Sequence, residues 1–103
     1  MKRWNQTQRG RATFLRKAYQ RIDACDLSSA EIHDMILGPC VYCGTTEANR
    51  GLDRIDNALP HIKGNVQTAC TECNLIRGDR FTVAEMMRIG AVVTQIRAER
   101  HLG

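Results

Sequence analysis

Four of the five cysteines form two pairs with the spacing of metal ligands. The pairs are Cys40-Val-Tyr-Cys43 and Cys70-Thr-Glu-Cys73, with 26 residues between them. Two thiolates at this spacing can reach one ion, and two such pairs complete the tetrahedral shell of structural zinc. Because four thiolates leave no open coordination position, this zinc would not be catalytic. The alternative is a redox pair or a set of buried free thiols.

The segment that the cysteines enclose carries oxygen ligands for a second cation. Asp53 lies in a short alternating segment, and Asn74 directly follows the last cysteine. The zinc would draw the helix that begins near Asn74 alongside the strand that holds Asp53. Carboxylate and amide oxygens suit Mg²⁺ or Mn²⁺, and Arg54, Lys63 and Arg77 could flank the ion. The alternative is that Asp53 is a surface carboxylate paired with Arg54, and that Asn74 caps a helix.

Two short strands and a helix would position these groups. Alternating segments at 51–55 and 65–69 predict strands joined by a long hairpin loop that contains Asn57, Pro60 and Gly64. A short helix should follow from Asn74 and break at Gly78-Asp79.

Helices should flank this core on both sides. Apolar residues at helical spacing predict an amphipathic basic helix from about Arg11 to Ala24; they are Phe14, Leu15, Ala18, Tyr19 and Ile22. A capping box of Ser28 and Glu31 predicts a short second helix, which Gly38-Pro39 ends. A second box, Thr82 with Glu85, predicts a helix to about Arg100 whose Met86, Ile89, Val93 and Ile96 share a face.

A chain of 103 residues with few aromatic side chains predicts one small domain that needs a metal or disulfides to stabilise its core. The predicted class is α+β: a small zinc-stabilised, treble-clef-like ββα core with flanking N-terminal and C-terminal helices. Within the single domain 1–103, residues 1–39 form a basic helical extension, 40–80 the zinc-framed core, and 81–103 the C-terminal helix.

Charge is unevenly distributed. Residues 1–22 hold seven Lys and Arg and no Asp or Glu, whereas residues 23–62 hold seven acids and two bases. This asymmetry indicates either a polyanion partner or simply a solvated surface. If the partner is DNA, the phosphate-binding residues on the first helix would be Arg9, Arg11, Arg16, Lys17 and Arg21.

The start of the chain is polar and no apolar run approaches about 18 residues, so we expect neither a secretory signal nor a membrane span. The expected location is therefore cytoplasmic. In that reducing compartment, and with an odd number of cysteines, metal ligation is favoured over a disulfide framework. Cys25, outside both pairs, is expected to be a small buried apolar residue.

Several spaced motifs, taken in order, resemble the zinc-bound HNH endonucleases, the ββα-metal nucleases, and in particular a phage-associated subgroup. The shared elements are the two Cys-x-x-Cys pairs, Leu-Asp-Arg-Ile-Asp-Asn at 52–57, Gly-Asn-Val at 64–66 and Cys-Asn-x-x-Arg at 73–77. The resemblance implies an intracellular protein, phage-encoded in a bacterial host. By position it implies that Asp53 and Asn74 hold a catalytic Mg²⁺ or Mn²⁺, that Asn65 orients the catalytic loop, and that Arg77 holds a phosphate.

The chain departs from the family pattern at one position. Arg54 stands where most of the family has the histidine that activates water, and a guanidinium stays protonated at working pH. His61 could supply the base; a tyrosine such as Tyr42, or a metal-bound water, could also do so. A weakened nuclease that still binds DNA is a third possibility.

The resemblance implies one-metal hydrolysis of a DNA phosphodiester by a monomer or homodimer, with each domain nicking one strand. The alternative is a noncatalytic zinc-ribbon-like module that binds nucleic acid, which accounts for the cysteines and for Arg54 but not for the HNH spacing of Asp53, Asn65 and Asn74.

Overall fold

A two-stranded antiparallel hairpin lies at the centre of the fold. In the computed structural model, which describes residues 3–22 and 24–102, Asp53 pairs with Gln67 and Leu52 pairs with Thr68. The described elements, in chain order, are helices α1 (Arg3–Ile22) and α2 (Ser29–Ile36), strands β1 (Arg50–Arg54) and β2 (Val66–Cys70), and helices α3 (Thr71–Arg77) and α4 (Val83–Leu102). The predicted α+β class, with a ββα core between flanking helices, is confirmed. Residues 1, 2, 23 and 103 of the predicted domain lie outside the described residues.

Both predicted strands are present, each displaced by one residue. Strand β1 begins and ends one residue earlier than the alternation indicated, and β2 one residue later. Asn65 belongs to the loop rather than to β2, because its N–H donates to the carbonyl of Ile62 in a tight turn.

The first helix differs from its prediction in extent and in the face that it buries. Helix α1 begins at Arg3 rather than near Arg11 and ends at Ile22. Its Phe14 and Ile22 were predicted to be buried, but they are 65% and 74% exposed. The inward stripe follows a spacing of four, three and four residues and consists of Gln8, Ala12, Leu15 and Tyr19. Because Gln8 is polar, a pattern of apolar residues does not include it in the inward face.

Both predicted capping boxes are present. The Glu31 N–H donates to the Ser28 hydroxyl at 3.1 Å, and the Ser28 N–H donates to the Glu31 carboxylate at 2.9 Å. Thr82 and Glu85 make the same reciprocal pair at 3.1 and 2.8 Å. These contacts satisfy N–H groups that the first turn of a helix leaves without intrahelical partners.

The hairpin separates two small cores, because side chains on opposite faces of a strand pair point in opposite directions. The core on the N-terminal side contains Ala12, Leu15, Leu27, Ile32, Ile36 and Leu52. The other surrounds the cysteines and contains Cys40, Tyr42, Ala69, Cys70, Cys73 and Met86. Within the described part of the chain, no helix combines the length and the apolar character that crossing a membrane requires.

Candidate metal centre and strand-edge site

The four paired cysteines converge on one point. All four sulfur atoms lie within 4.8 Å of one another, and the Cys43 and Cys70 sulfurs are 3.7 Å apart. A tetrahedral zinc with Zn–S bonds of about 2.3 Å places its sulfurs about 3.8 Å apart. The donor set and the spacing therefore fit structural Zn²⁺ on Cys40, Cys43, Cys70 and Cys73. Cys25 lies elsewhere, half-buried against the N-terminal core.

Burial and hydrogen bonding act differently on the individual sulfurs of the cluster. Burial raises the pKa of Cys70 and of Cys73, so these thiols would stay protonated without a positive charge beside them. Burial acts on Cys43 in the same direction, but hydrogen bonds from the Thr45 N–H and the Arg97 guanidinium lower its pKa overall. A bound divalent ion would supply the charge that holds all four sulfurs as thiolates.

Asp53 lies at the centre of a buried polar network. Its carboxylate is 2% exposed, and Arg77 Nη1 donates to both oxygens at 2.8 Å. The Tyr42 hydroxyl donates to Oδ2 in a short hydrogen bond, and Gln67 Nε2 donates to the same oxygen at 3.2 Å. Arg77 itself is 1% exposed. The carboxylate is thus neutralised by Arg77, and not by Arg54 as the alternative interpretation supposed.

The edge of β1 that faces away from β2 is covered by side chains from two helices. From α3, Asn74 Nδ2 donates to the Leu52 carbonyl at 3.3 Å, and Arg77 donates to the carbonyls of Arg54 and Ile55. From α1, Arg11 Nε donates to the Arg50 carbonyl at 3.0 Å, and the Tyr19 hydroxyl accepts the Leu52 N–H at 3.1 Å. These bonds satisfy backbone groups that an open strand edge would leave exposed.

The two predicted ligands of the catalytic ion both lie at this strand–helix interface but face different surroundings. Asn74 lines a surface pocket of about 340 Å³ between α1 and α3, whose other walls include Arg11, Tyr19 and Gly51. The oxygens of Asp53 accept from Arg77 instead. In this arrangement both oxygens of Asp53 accept hydrogen bonds from Arg77 and the group is buried, so an ion can reach Asp53 only if that guanidinium moves.

Asn65 fastens the hairpin loop. Its Nδ2 donates to the carbonyls of Asp56, Leu59 and Pro60 at 3.1, 3.3 and 3.0 Å, and its Oδ1 accepts the Asp56 N–H at 2.9 Å. The side chain is 6% exposed. These bonds fix the conformation of the loop between β1 and β2.

The two candidate bases occupy different environments. Burial and the neighbouring Asp53 raise the pKa of Tyr42, whose hydroxyl donates to that carboxylate. His61 is also largely buried; its ring stacks on Tyr19, with centroids 3.9 Å apart and planes at 12°. Arg54 is half-buried at the end of β1.

The predicted phosphate-binding residues divide into two groups. Arg9, Lys17 and Arg21 are exposed on α1. The others make contacts within the fold: Arg11 with the edge of β1, Arg16 with the Leu27 carbonyl at 3.1 Å, Lys63 with Glu31 at 3.4 Å, and Arg77 with Asp53.

Three residues of these hydrogen-bond networks were not predicted from the sequence. The sequence interpretation did not place Gln67 beside Asp53, although the strand register does so directly. It assigned no role to Arg50, which is 1% exposed and donates to the Ile36 and Ala48 carbonyls. It also missed Arg97, whose Nη1 donates to the Cys43 sulfur at 2.9 Å.

A hairpin followed by a helix, framed by four cysteines, is the architecture of the ββα-metal nucleases. The HNH restriction endonuclease PacI, described as rare-cutting and as perturbing DNA by an extraordinary mechanism, has a similar structure, with a TM-score of 0.71 and 20% sequence identity. The match covers 94% of this chain and 81% of that one. No protein-family profile and no curated protein gives a significant sequence match. The resemblance to HNH nucleases is therefore confirmed at the level of the fold.

Proposed function

We propose that this protein is a metal-dependent HNH-type endonuclease that hydrolyses DNA phosphodiester bonds and nicks one strand per site. The observation that carries the proposal is the likeness to an HNH restriction endonuclease along nearly the whole chain, including both flanking helices. The four-cysteine cluster adds the structural zinc site expected of the zinc-bound members.

Each residue has a proposed role at the interface of β1 and α3. Asp53 and Asn74 are the proposed ligands of Mg²⁺ or Mn²⁺, which would stabilise the negative charge that develops on the phosphate and the leaving 3′ oxygen. His61 is the proposed base and Asn65 orients the loop that carries it. Arg54 would neutralise a phosphate oxygen.

Arg77 has two proposed partners, Asp53 and a phosphate, and it can pair with only one of them at a time. While its guanidinium lies on Asp53, that carboxylate is closed to an ion; once it leaves, Asp53 is available and Arg77 can pair with a phosphate instead. The scissile phosphate, which carries one negative charge, could therefore replace Asp53 as the partner of this one arginine. Divalent binding should accordingly be weak without DNA.

DNA is the proposed partner, and the exposed bases of α1 are its proposed first contacts. Arg9, Lys17 and Arg21 would bind backbone phosphates, which makes the affinity fall steeply as salt rises. Such contacts position the enzyme but carry no sequence information. We propose that the protein acts inside the cell as a monomer or homodimer.

One observation favours a second candidate function, a noncatalytic zinc module that binds nucleic acid. The Asp53–Arg77 pair is buried, bidentate and supported by Tyr42 and Gln67, as in a purely structural ion pair. In that case the pair would never open, and α1 alone would hold DNA.

A nicking assay separates the two functions. Zinc-loaded protein is incubated with supercoiled plasmid and Mn²⁺ or Mg²⁺, and Asn74→Ala and His61→Gln are run beside the wild type. Asp79→Ala, at an exposed carboxylate outside the site, is the matched control. If the protein is a nuclease, the wild type and the Asp79→Ala control should nick the plasmid, and Asn74→Ala should not. Salt-sensitive binding without nicking, by a protein that retains its zinc, would support the binding module.

A further inference from the structure

Helix α4 meets the first cysteine pair at three successive turns of one face. Gly90 lies so close that a Cβ there would be 2.3 Å from the Tyr42 carbonyl oxygen. One turn on, the Thr94 hydroxyl donates to the Cys43 carbonyl at 3.2 Å. One turn further, Arg97 reaches the Cys43 sulfur at 2.9 Å. Since residues three and four apart share a helix face, Gly90, Thr94 and Arg97 form one continuous docking stripe.

Arg97 is held at this position from both sides. Its Nη2 pairs with the carboxylate of Glu72, which lies on α3 between the second pair of cysteines. Its side chain is 30% exposed, so part of the guanidinium contacts protein rather than water. Arg97 therefore joins α4 to α3 at the point where its other nitrogen meets the sulfur.

We propose that Arg97 is a positioning residue of the metal site and controls how firmly the cluster holds its zinc. Four thiolates around Zn²⁺ carry a net charge of two minus, and a guanidinium hydrogen bond to one thiolate offsets part of that charge. It also withdraws electron density from the Cys43 sulfur, which makes that thiolate a weaker nucleophile. The C-terminal helix is thus part of the zinc site and not only a cover for the core.

The Arg97–Cys43 hydrogen bond lowers the reactivity of one cysteine of the four, Cys43. Among the four, Cys43 is the only half-buried one; the other three are buried. Without Arg97, the most accessible thiolate would be left with fewer hydrogen bonds to its sulfur. We expect Cys43 to be the first point of attack by electrophiles and the first ligand lost when that hydrogen bond is removed.

The test measures zinc release and needs no nuclease activity. Release into a chromogenic chelator is timed for wild type, Arg97→Ala and Arg97→Lys, with Arg88→Ala as the matched control, because Arg88 is an exposed arginine on the same helix. Loss of an outer hydrogen bond to a metal ligand costs about 10–100-fold in metal affinity. We expect release to accelerate by about that factor in Arg97→Ala, by less in Arg97→Lys, and not at all in Arg88→Ala.

A second readout separates the hydrogen bond from simple docking of α4. In protein loaded with Co²⁺, a more electron-rich Cys43 sulfur should move the sulfur-to-cobalt charge-transfer band to longer wavelength in Arg97→Ala. In Glu72→Gln, which keeps the Arg97–Cys43 bond, the band should stay near its wild-type position. Alkylation followed by mass mapping should find Cys43 modified first in Arg97→Ala.

Two results would overturn the proposal. One is zinc release from Arg97→Ala and Arg97→Lys at the wild-type rate. The other is faster release with an unmoved cobalt band and an equal effect of Glu72→Gln, which would assign the whole effect to helix docking. If Arg97→Ala does not fold, Arg97→Lys decides by the same two measurements, because it keeps the charge but loses the planar fork.

Discussion

Replacing Arg77 by methionine should destabilise the fold more than removing an ordinary surface arginine, because it leaves Asp53 charged and buried. Both side chains of the pair are almost fully excluded from solvent. Removing one partner of such a pair costs about 3–5 kcal/mol. A domain of this size has about 5–15 kcal/mol of stability in total, so the variant should lose a large share of it.

The double-mutant cycle gives the sharper test. Asp53→Asn should also be destabilising, since it leaves the guanidinium of Arg77 buried without its counter-charge. The double variant should cost less than the sum of the two single variants, with a coupling of about 1–3 kcal/mol. It should not reach wild-type stability, because Arg77 also donates to the carbonyls of Phe81 and Ile55, and each such bond is worth about 1 kcal/mol.

The assay is urea unfolding at a fixed free zinc concentration, since a bound metal adds to the apparent stability. Arg80→Met, at an exposed arginine three residues on, is the matched control and should lie within about 0.5 kcal/mol of the wild type. Additivity of Asp53→Asn and Arg77→Met within about 0.5 kcal/mol would refute the reasoning, because it would mean that the pair does not interact.

Three further predictions concern other parts of the molecule. Gly90→Ala should displace α4, since the added Cβ would collide with the Tyr42 carbonyl; hydrogen exchange of the α4 amides should rise, whereas an unchanged pattern would contradict the close approach. Asn65→Ala should leave three loop carbonyls without their donor and cost about 1–3 kcal/mol in urea unfolding, against near-zero cost for Asn57→Ala at the half-buried neighbour in the same loop. Burial raises the pKa of both Tyr19 and Tyr42, so absorbance near 295 nm should show less phenolate at pH 10 in the folded protein than in the unfolded chain. Because the unfolded chain releases these protons first, stability should be full below pH 10 and fall as the pH rises above it; free titration of either tyrosine at pH 10 would contradict this.

Local signals in the sequence were sufficient to predict the elements that build the core. Cysteine spacing predicted the metal cluster, the two capping boxes predicted the starts of α2 and α4, and alternation predicted a hairpin within one residue. The capping boxes and each Cys-x-x-Cys pair rest on residues a few positions apart, where chain geometry alone fixes the relation. Two residues of the apolar face predicted for α1, Phe14 and Ile22, are exposed, whereas Leu15 and Tyr19 do face the core.

Contacts between distant segments could not be predicted. The partner of Asp53 is 24 residues away on α3, and Arg97 lies 54 residues from Cys43. From sequence alone, an arginine is expected to face solvent or to bind phosphate. Inside the fold, Arg11, Arg50 and Arg77 instead donate to backbone carbonyls. The packing of α1 and α3 against the open edge of β1 gives Arg11 and Arg77 those roles. The close approach of Gly90 to the Tyr42 carbonyl is a further contact of this kind, since the two residues are far apart in the sequence.

The proposed nuclease activity can be tested by resealing plasmid that this protein has cut. Supercoiled DNA is incubated with the zinc-loaded wild type and Mn²⁺, and the nicked product is purified and treated with DNA ligase. Metal-dependent hydrolysis by the proposed route leaves 5′-phosphate and 3′-hydroxyl ends. DNA ligase should therefore close the nicked circles. Asp53→Ala protein that still retains zinc should not nick the plasmid. An intact plasmid after incubation with folded, DNA-bound wild type would contradict the claim that this fold is a nuclease here.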